Sequence, residues 1–198
     1  YAGSIHGVSH SMGASGAAHC ADCHGSHGMI PVKDITSPVF KLNLPQTCGR
    51  CHTNENVTVE YKMKYPHVAS QYLDSIHGRA LLKMGLIVAP SCNDCHGVHS
   101  IKRSVDRSSP INHANIATTC GKCHVTVEEI YMQSIHGQLL AKGDPGGPVC
   151  TDCHSAHDIQ PPMNGHFKMA SDKQCGKCHE DRLTHYRDTY HGKAMALG

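Results

Sequence analysis

The 198-residue sequence has no tryptophan and only two phenylalanines, with seven tyrosines completing its aromatic complement. Large apolar side chains are too scarce for this length to fill an ordinary hydrophobic core. Something other than side chains must occupy the interior or cross-link the chain. Charge of one sign is also missing: the net charge is +2 with histidine neutral, and the lysines and arginines are scattered. That excludes the basic tract that follows a nucleic-acid backbone. The longest apolar stretch, LLKMGLIVAP at 81–90, contains Lys83 and falls far short of the roughly 20 apolar residues a membrane-spanning helix needs. No secretory leader pattern opens the chain, so an exported protein would be represented here by its mature form.

What the sequence does contain is 12 cysteines and 19 histidines. Every cysteine belongs to one of six C-x-x-C pairs, and each pair is followed at once by histidine: CADCH at 20–24, CGRCH at 48–52, CNDCH at 92–96, CGKCH at 120–124, CTDCH at 150–154 and CGKCH at 175–179. Zinc sites also use C-x-x-C but need no histidine after every pair. Disulfides leave the histidines unexplained, and a redox dithiol is expected once rather than six times. C-x-x-C-H is the attachment signature of c-type haem. On one helical turn, residues three and four apart share a face. Both thiols can therefore reach the haem vinyl groups while the histidine reaches the iron. The expected attachment residues are Cys20, Cys23, Cys48, Cys51, Cys92, Cys95, Cys120, Cys123, Cys150, Cys153, Cys175 and Cys178. The expected proximal ligands are His24, His52, His96, His124, His154 and His179. Six haem macrocycles would supply the missing apolar bulk. Because haem is attached after export, they also imply an extracytoplasmic location.

The motifs alternate. The first, third and fifth continue to a further histidine three residues on, His27, His99 and His157, whereas the others do not. A second frame recurs as YAGSIHG at 1–7, YLDSIHG at 72–78, YMQSIHG at 131–137 and YRDTYHG at 186–192. Taken singly, its His-Gly would be a helix C-cap signal. Its recurrence in step with the haem motifs makes His6, His77, His136 and His191 candidate distal ligands, with the tyrosine and glycine as packing and turn residues. The repeat is thus a two-haem unit. Three units span about 1–71, 72–130 and 131–185 in a single haem-wrapped domain, and the start of a fourth occupies 186–198. The first unit carries an insertion of about 13 residues around NVTVEYKMKYPHV.

Six hexacoordinate irons need six distal histidines. Three frame histidines and three from H-x-x-H supply that number, with one frame histidine in surplus. The H-x-x-H histidine cannot serve its own motif's haem. Three fully extended residues span about 10–11 Å, short of the roughly 12 Å required between axial Cα atoms. It must ligate a neighbouring haem, which draws the two haems together. His10, His19, His67, His113, His166 and His185 do not recur and are assigned to the surface or to haem propionates.

The alternating C-x-x-C-H-x-x-H and C-G-K-C-H motifs joined by S-x-H-G resemble multihaem c-type cytochromes of the doubled-CxxCH class, over the whole chain. The resemblance implies a haem-packed fold of loops and short helices with little or no β-sheet. It implies electron transfer through six bis-histidine haems and no catalysis. Some similar cytochromes polymerise extracellularly, with one distal histidine supplied by the adjacent subunit. Others are periplasmic carriers or haem domains of membrane-associated complexes, and multihaem reductases are a further alternative. The surplus frame histidine favours a head-to-tail polymer in which His6 or His191 crosses the subunit boundary. Copies of itself, other redox proteins or an extracellular electron acceptor are the expected partners, with no nucleic acid and no membrane span.

Overall fold

The computed structural model describes residues 1–197, and the side chain of His166 lies outside that description. No strand occurs among the described residues, and the α-helices are short, from five to twelve residues.

The repeated frame folds as a sharp corner between two helices. In the second unit, helix Val68–Asp74 ends at Ser75 and helix Ile76–Leu82 begins there, with Ser75 extended at φ −70° and ψ 162°. The Ser75 hydroxyl donates to the Tyr72 carbonyl at 2.6 Å and accepts from the Gly78 N–H at 3.0 Å. This satisfies one of the open N–H groups of the first turn. Ser134 and Thr189 make the same two bonds, and Ser4 caps helix Ile5–Ser11 through Gly7. The frame histidine and glycine therefore open a helix rather than close one. Glycine is required because the corner brings two backbones together. A Cβ on Gly78 would stand 2.0 Å from the Tyr72 carbonyl oxygen. On Gly7, Gly137 and Gly192 it would stand 2.3, 2.2 and 2.1 Å from the corresponding tyrosine oxygen.

The odd-numbered cysteine motifs form five-residue helices, Cys20–His24, Cys92–His96 and Cys150–His154. The Asp of C-x-D-C-H sits at the third helical position. Asp22, Asp94 and Asp152 accept the N-cap backbone N–H at 2.8, 2.7 and 2.7 Å, the return half of a capping box. The even-numbered motifs instead lie at the ends of helices Leu44–His52, Ile116–Gly121 and Gly165–Gly176.

Side chains alone make almost no apolar core. The largest fully buried side chains are Leu81, Val149 and five serines: Ser4, Ser37, Ser75, Ser91 and Ser109. Ser4, Ser37, Ser75 and Ser109 are buried where their hydroxyls cap and brace the backbone. Meanwhile Met12, Val59, Val105 and Met163 are each at least 75% exposed. A chain that buries serines and exposes methionines is shaped around something besides its own side chains.

Successive units join in register. The Ile5 N–H donates to the Ile101 carbonyl at 2.7 Å, and the Ile76 N–H donates to the Ile159 carbonyl at 2.8 Å. Each acceptor lies two residues beyond the H-x-x-H histidine of the following unit. Lys41 pairs with Asp94 at 3.1 Å and His113 with Asp152 at 3.7 Å, again linking one unit to the next.

Candidate haem-binding sites

Five pairs of imidazoles face each other at nearly one separation. Ring centroids are 6.2 Å apart for His6 and His52, 6.0 Å for His24 and His99, and 6.1 Å for His77 and His124. They are 6.0 Å apart for His96 and His157 and 6.2 Å for His136 and His179. Metal–imidazole bonds of about 2.0–2.1 Å, with each nitrogen about 1.1 Å from its ring centre, place two axial rings roughly 6.2–6.4 Å apart. Each pair therefore has the span of two ligands on opposite faces of one metal. Each also joins a histidine of a cysteine motif to one outside it.

The pairing follows a rule. A frame histidine faces the even-numbered motif of its own unit: His6 with His52, His77 with His124, His136 with His179. An H-x-x-H histidine faces the odd-numbered motif of the preceding unit: His99 with His24, His157 with His96. Burial holds His6, His52, His77, His96 and His157 below the ordinary imidazole pKa, with His124 adding to the effect at His77 and His157 adding to it at His96. They are thus neutral, the form that binds a metal. The Nδ1 atom of His157 is buried without a hydrogen-bond partner, as expected where the ring belongs to a metal site.

The rule leaves two histidines and one motif over. His154 has no histidine ring opposite it among the described residues. Phe167 lies against it instead, at 4.9 Å and 4° from parallel. His27 belongs to the first unit, and among the described residues it faces no cysteine-motif histidine. The H-x-x-H set thus brings two ring pairs together within the chain, where the ligand count expected three. His191 has Tyr190 as its ring neighbour, at 6.0 Å. Of the two frame histidines considered for surplus, His6 is paired with His52, and His191 faces no motif histidine among the described residues. Among the non-recurrent histidines, His10 packs edge-on against His19 at 5.2 Å, and His19 pairs with Asp22. The side chain of His166 lies outside the described residues.

Helices that carry different motifs pack on one another: Leu44–His52 on Cys92–His96, Ile116–Gly121 on Cys150–His154, and Cys150–His154 on Gly165–Gly176. Arg50 donates to the Asp22 carbonyl, joining the second motif to the first. All twelve thiols are free of disulfides. Among the described residues no three or more His, Cys, Asp or Glu side chains converge on a metal-ion position. The pairs are therefore not assembled as four-ligand zinc sites.

Several supporting residues escape sequence reasoning. The frame tyrosines have one specific task. Tyr1, Tyr72 and Tyr131 donate to the carbonyls of Ala18, Pro90 and Pro148 at 2.5, 2.7 and 2.9 Å. Each acceptor lies two residues before an odd-numbered motif. One tyrosine thus ties a frame helix to the attachment helix beside it, and burial pushes the Tyr72 hydroxyl up to about 12, keeping it a donor. Tyr186 instead donates to Met195 Sδ at 3.2 Å.

A second hidden repeat braces the loops before motifs two and four. Asn43 donates to the Ile35 and Ser37 carbonyls, and Asn115 to those of Arg107 and Ser109. Thr47 and Thr119 close the same loops on Pro38 and Pro110. The shared pattern D-x-S/T-S-P, followed by Asn and Thr, was the available signal. The insertion of the first unit folds back over its neighbours: Gly16 N–H donates to Tyr61 Oη at 3.0 Å, and the Tyr65 ring stands edge-on to His157 at 5.1 Å.

The donor set fits haem c: paired thiols beside one histidine, a second histidine at axial span, and apolar surface left open. A family model described as the doubled CXXCH motif matches residues 138–184. No curated protein and no solved structure matches the chain. No helix among the described residues is long and apolar enough to cross a membrane. Ligand geometry and the matched motif together support a multihaem c-type cytochrome with covalently bound haem c.

Proposed function

We propose that the chain carries six haems and serves as a segment of an extracellular electron conduit. The observation that carries this reading is the packing of motif-bearing helices in a row, Leu44–His52 on Cys92–His96, Ile116–Gly121 on Cys150–His154, and Cys150–His154 on Gly165–Gly176. Haems attached in such a row pass electrons by short hops. Five irons held between two histidines have no open position for a substrate, which favours transfer over catalysis.

The unit-to-unit contacts also support a head-to-tail assembly. Extended by one step, the pairing rule sets His27 of a second copy opposite His154. It likewise sets the Met29 carbonyl of that copy against the Ile135 N–H. Met29 and Ile135 are 67% and 65% exposed, whereas Ile5, Ile76, Ile101 and Ile159 are half-buried at the two internal junctions. In such a junction the segment 186–192 and the frame 1–7 of the second copy are equivalent claimants to the place beside His52 of that copy. A repeated heterologous contact of this kind gives an open filament unless rotation closes a ring.

Intact mass spectrometry tests the count: six haems are expected, and five or fewer would sink the reading. Imaging of the native particle tests the assembly. Filaments with a continuous row of haems are expected, whereas discrete monomers would indicate a soluble periplasmic carrier or a haem domain of a membrane-associated complex.

A further inference from the structure

The five imidazole pairs share one separation but not one relative orientation. The two rings stand 27°, 33° and 24° apart in three pairs and 68° apart in His6 and His52. His96 and His157 are 4° from parallel. An axial imidazole is ordinarily held in rotation by a hydrogen bond from its second ring nitrogen. His157 makes no such bond at Nδ1, which is buried without a partner. The usual brace is thus missing at the pair whose rings are most closely aligned.

What stands against the His157 ring is Tyr65, edge-on, with centroids 5.1 Å apart and 69° between the planes. This is the T-shaped contact that aromatic rings favour. Tyr65 belongs to the insertion of the first unit, His157 to the third unit, and the motif that His157 faces to the second. The insertion is tied down beside this contact. The Gly16 N–H donates to Tyr61 Oη at 3.0 Å, and Lys64 Nζ stands 5.2 Å over the Tyr65 ring, a cation–π contact. Among the described residues, the other four distal histidines have no aromatic ring against them besides the motif histidine they face.

We infer that the insertion is a clamp on an axial ligand. Tyr65 is a positioning residue that fixes the ring of His157 in rotation, parallel to His96, and acts through it on the haem attached at Cys92 and Cys95. Ligand orientation is one of the levers by which a protein tunes a metal centre. One haem of the row is thereby set apart from the rest by residues from all three units. This rests on the reading that a haem is held between His96 and His157.

The test is paramagnetic NMR of the haem-loaded, oxidised chain, in which haem-methyl shifts follow the orientation of the axial rings. Tyr65→Ala is expected to change the shift pattern of the haem at Cys92 and Cys95 alone, with every haem retained and low-spin. Tyr65→Phe keeps the ring and is expected to restore the wild-type pattern. A wild-type pattern in Tyr65→Ala overturns the inference. So does an equal change in Tyr65→Phe, or a change spread over several haems, which marks general loosening. Tyr61→Phe removes the bond from Gly16 while leaving Tyr65 in place, and is expected to give a smaller change at the same haem. Should Tyr65→Ala fail to fold, an unaltered pattern in Tyr61→Phe overturns the inference. The near-infrared bands of the wild-type protein separate the two readings. A haem at Cys92 and Cys95 without a bis-histidine signature removes the site and the clamp together. A bis-histidine haem there that ignores both tyrosine variants removes the clamp alone.

Discussion

Gly78→Ala places a methyl carbon 2.0 Å from the Tyr72 carbonyl oxygen, 2.8 Å from its carbon and 3.0 Å from the Leu73 Cα. All three are backbone atoms, so none can swing aside as a side chain would. Ordinary contacts begin near 3.5 Å, and relief therefore needs the two helices to part by roughly 1 Å or more at the Ser75 corner. His77 is the adjoining residue and shares a helix with the fully buried Leu81. Ligand–metal distances tolerate only about 0.2 Å, so the His77–His124 pair cannot survive that shift intact. The expected result is loss of low-spin character at the haem held between His77 and His124. Overpacking of this kind costs about 1–3 kcal/mol. At about 2–4 °C per kcal/mol for a chain of this size, melting should fall by roughly 2–12 °C. The assay is absorption and electron paramagnetic resonance of the oxidised protein, with a thermal melt followed by circular dichroism. Gly28→Ala is the control, because a Cβ there meets nothing within 4 Å and the change should stay within about 0.5 kcal/mol. An unchanged spectrum and melt for Gly78→Ala would refute the reasoning.

His99→Ala should disturb the haem at Cys20 and Cys23, leaving that at Cys92 and Cys95 six-coordinate. Paramagnetic NMR assignment of the altered haem checks this, and a change at the 92–96 site would contradict the pairing rule. Ser155→Gly should stabilise the protein, because Ser155 holds φ 63° where Gly25 and Gly97 occupy the matching positions. Relief of about 1–3 kcal/mol of backbone strain, less about 0.5–1 kcal/mol for the freer unfolded chain, leaves a gain of roughly 0–2.5 kcal/mol, centred near 1 kcal/mol, in denaturant titration. Tyr131→Phe removes the bond to the Pro148 carbonyl at 2.9 Å and should cost about 0.5–1.5 kcal/mol, measured the same way, with all haems retained. In acid, protons compete with the metal for the ring nitrogens of His6, His52, His77, His124, His96 and His157, because only neutral imidazole binds a metal. Low-spin absorption should therefore be lost as pH falls, and a spectrum unchanged down to the point of unfolding would contradict the pairing.

The attachment chemistry was legible in the sequence because it is local. Two thiols and a histidine within five residues need one helical turn, and the six repeats of CxxCH state that need without a fold. The scarcity of aromatic and large apolar side chains likewise announced an interior filled by cofactor, and the alternation of motifs exposed the two-haem unit. Chain reach even excluded His99 from serving the motif it follows, since that limit depends only on bond lengths. Which motif each distal histidine faces was not legible. That depends on how units stack, through the Ile5–Ile101 and Ile76–Ile159 bonds, which join residues more than 80 positions apart. The same stacking decided that, among the described residues, His27 faces no motif histidine, while His154 lies against Phe167. The frame glycines could be read as turn residues, but their reason is steric: a corner folded so tightly that the tyrosine carbonyl leaves no space for a Cβ. Covalent geometry is short-range and prints itself in spacing. Axial pairing and close backbone approach are contacts through space, and only the assembled fold brings their atoms together.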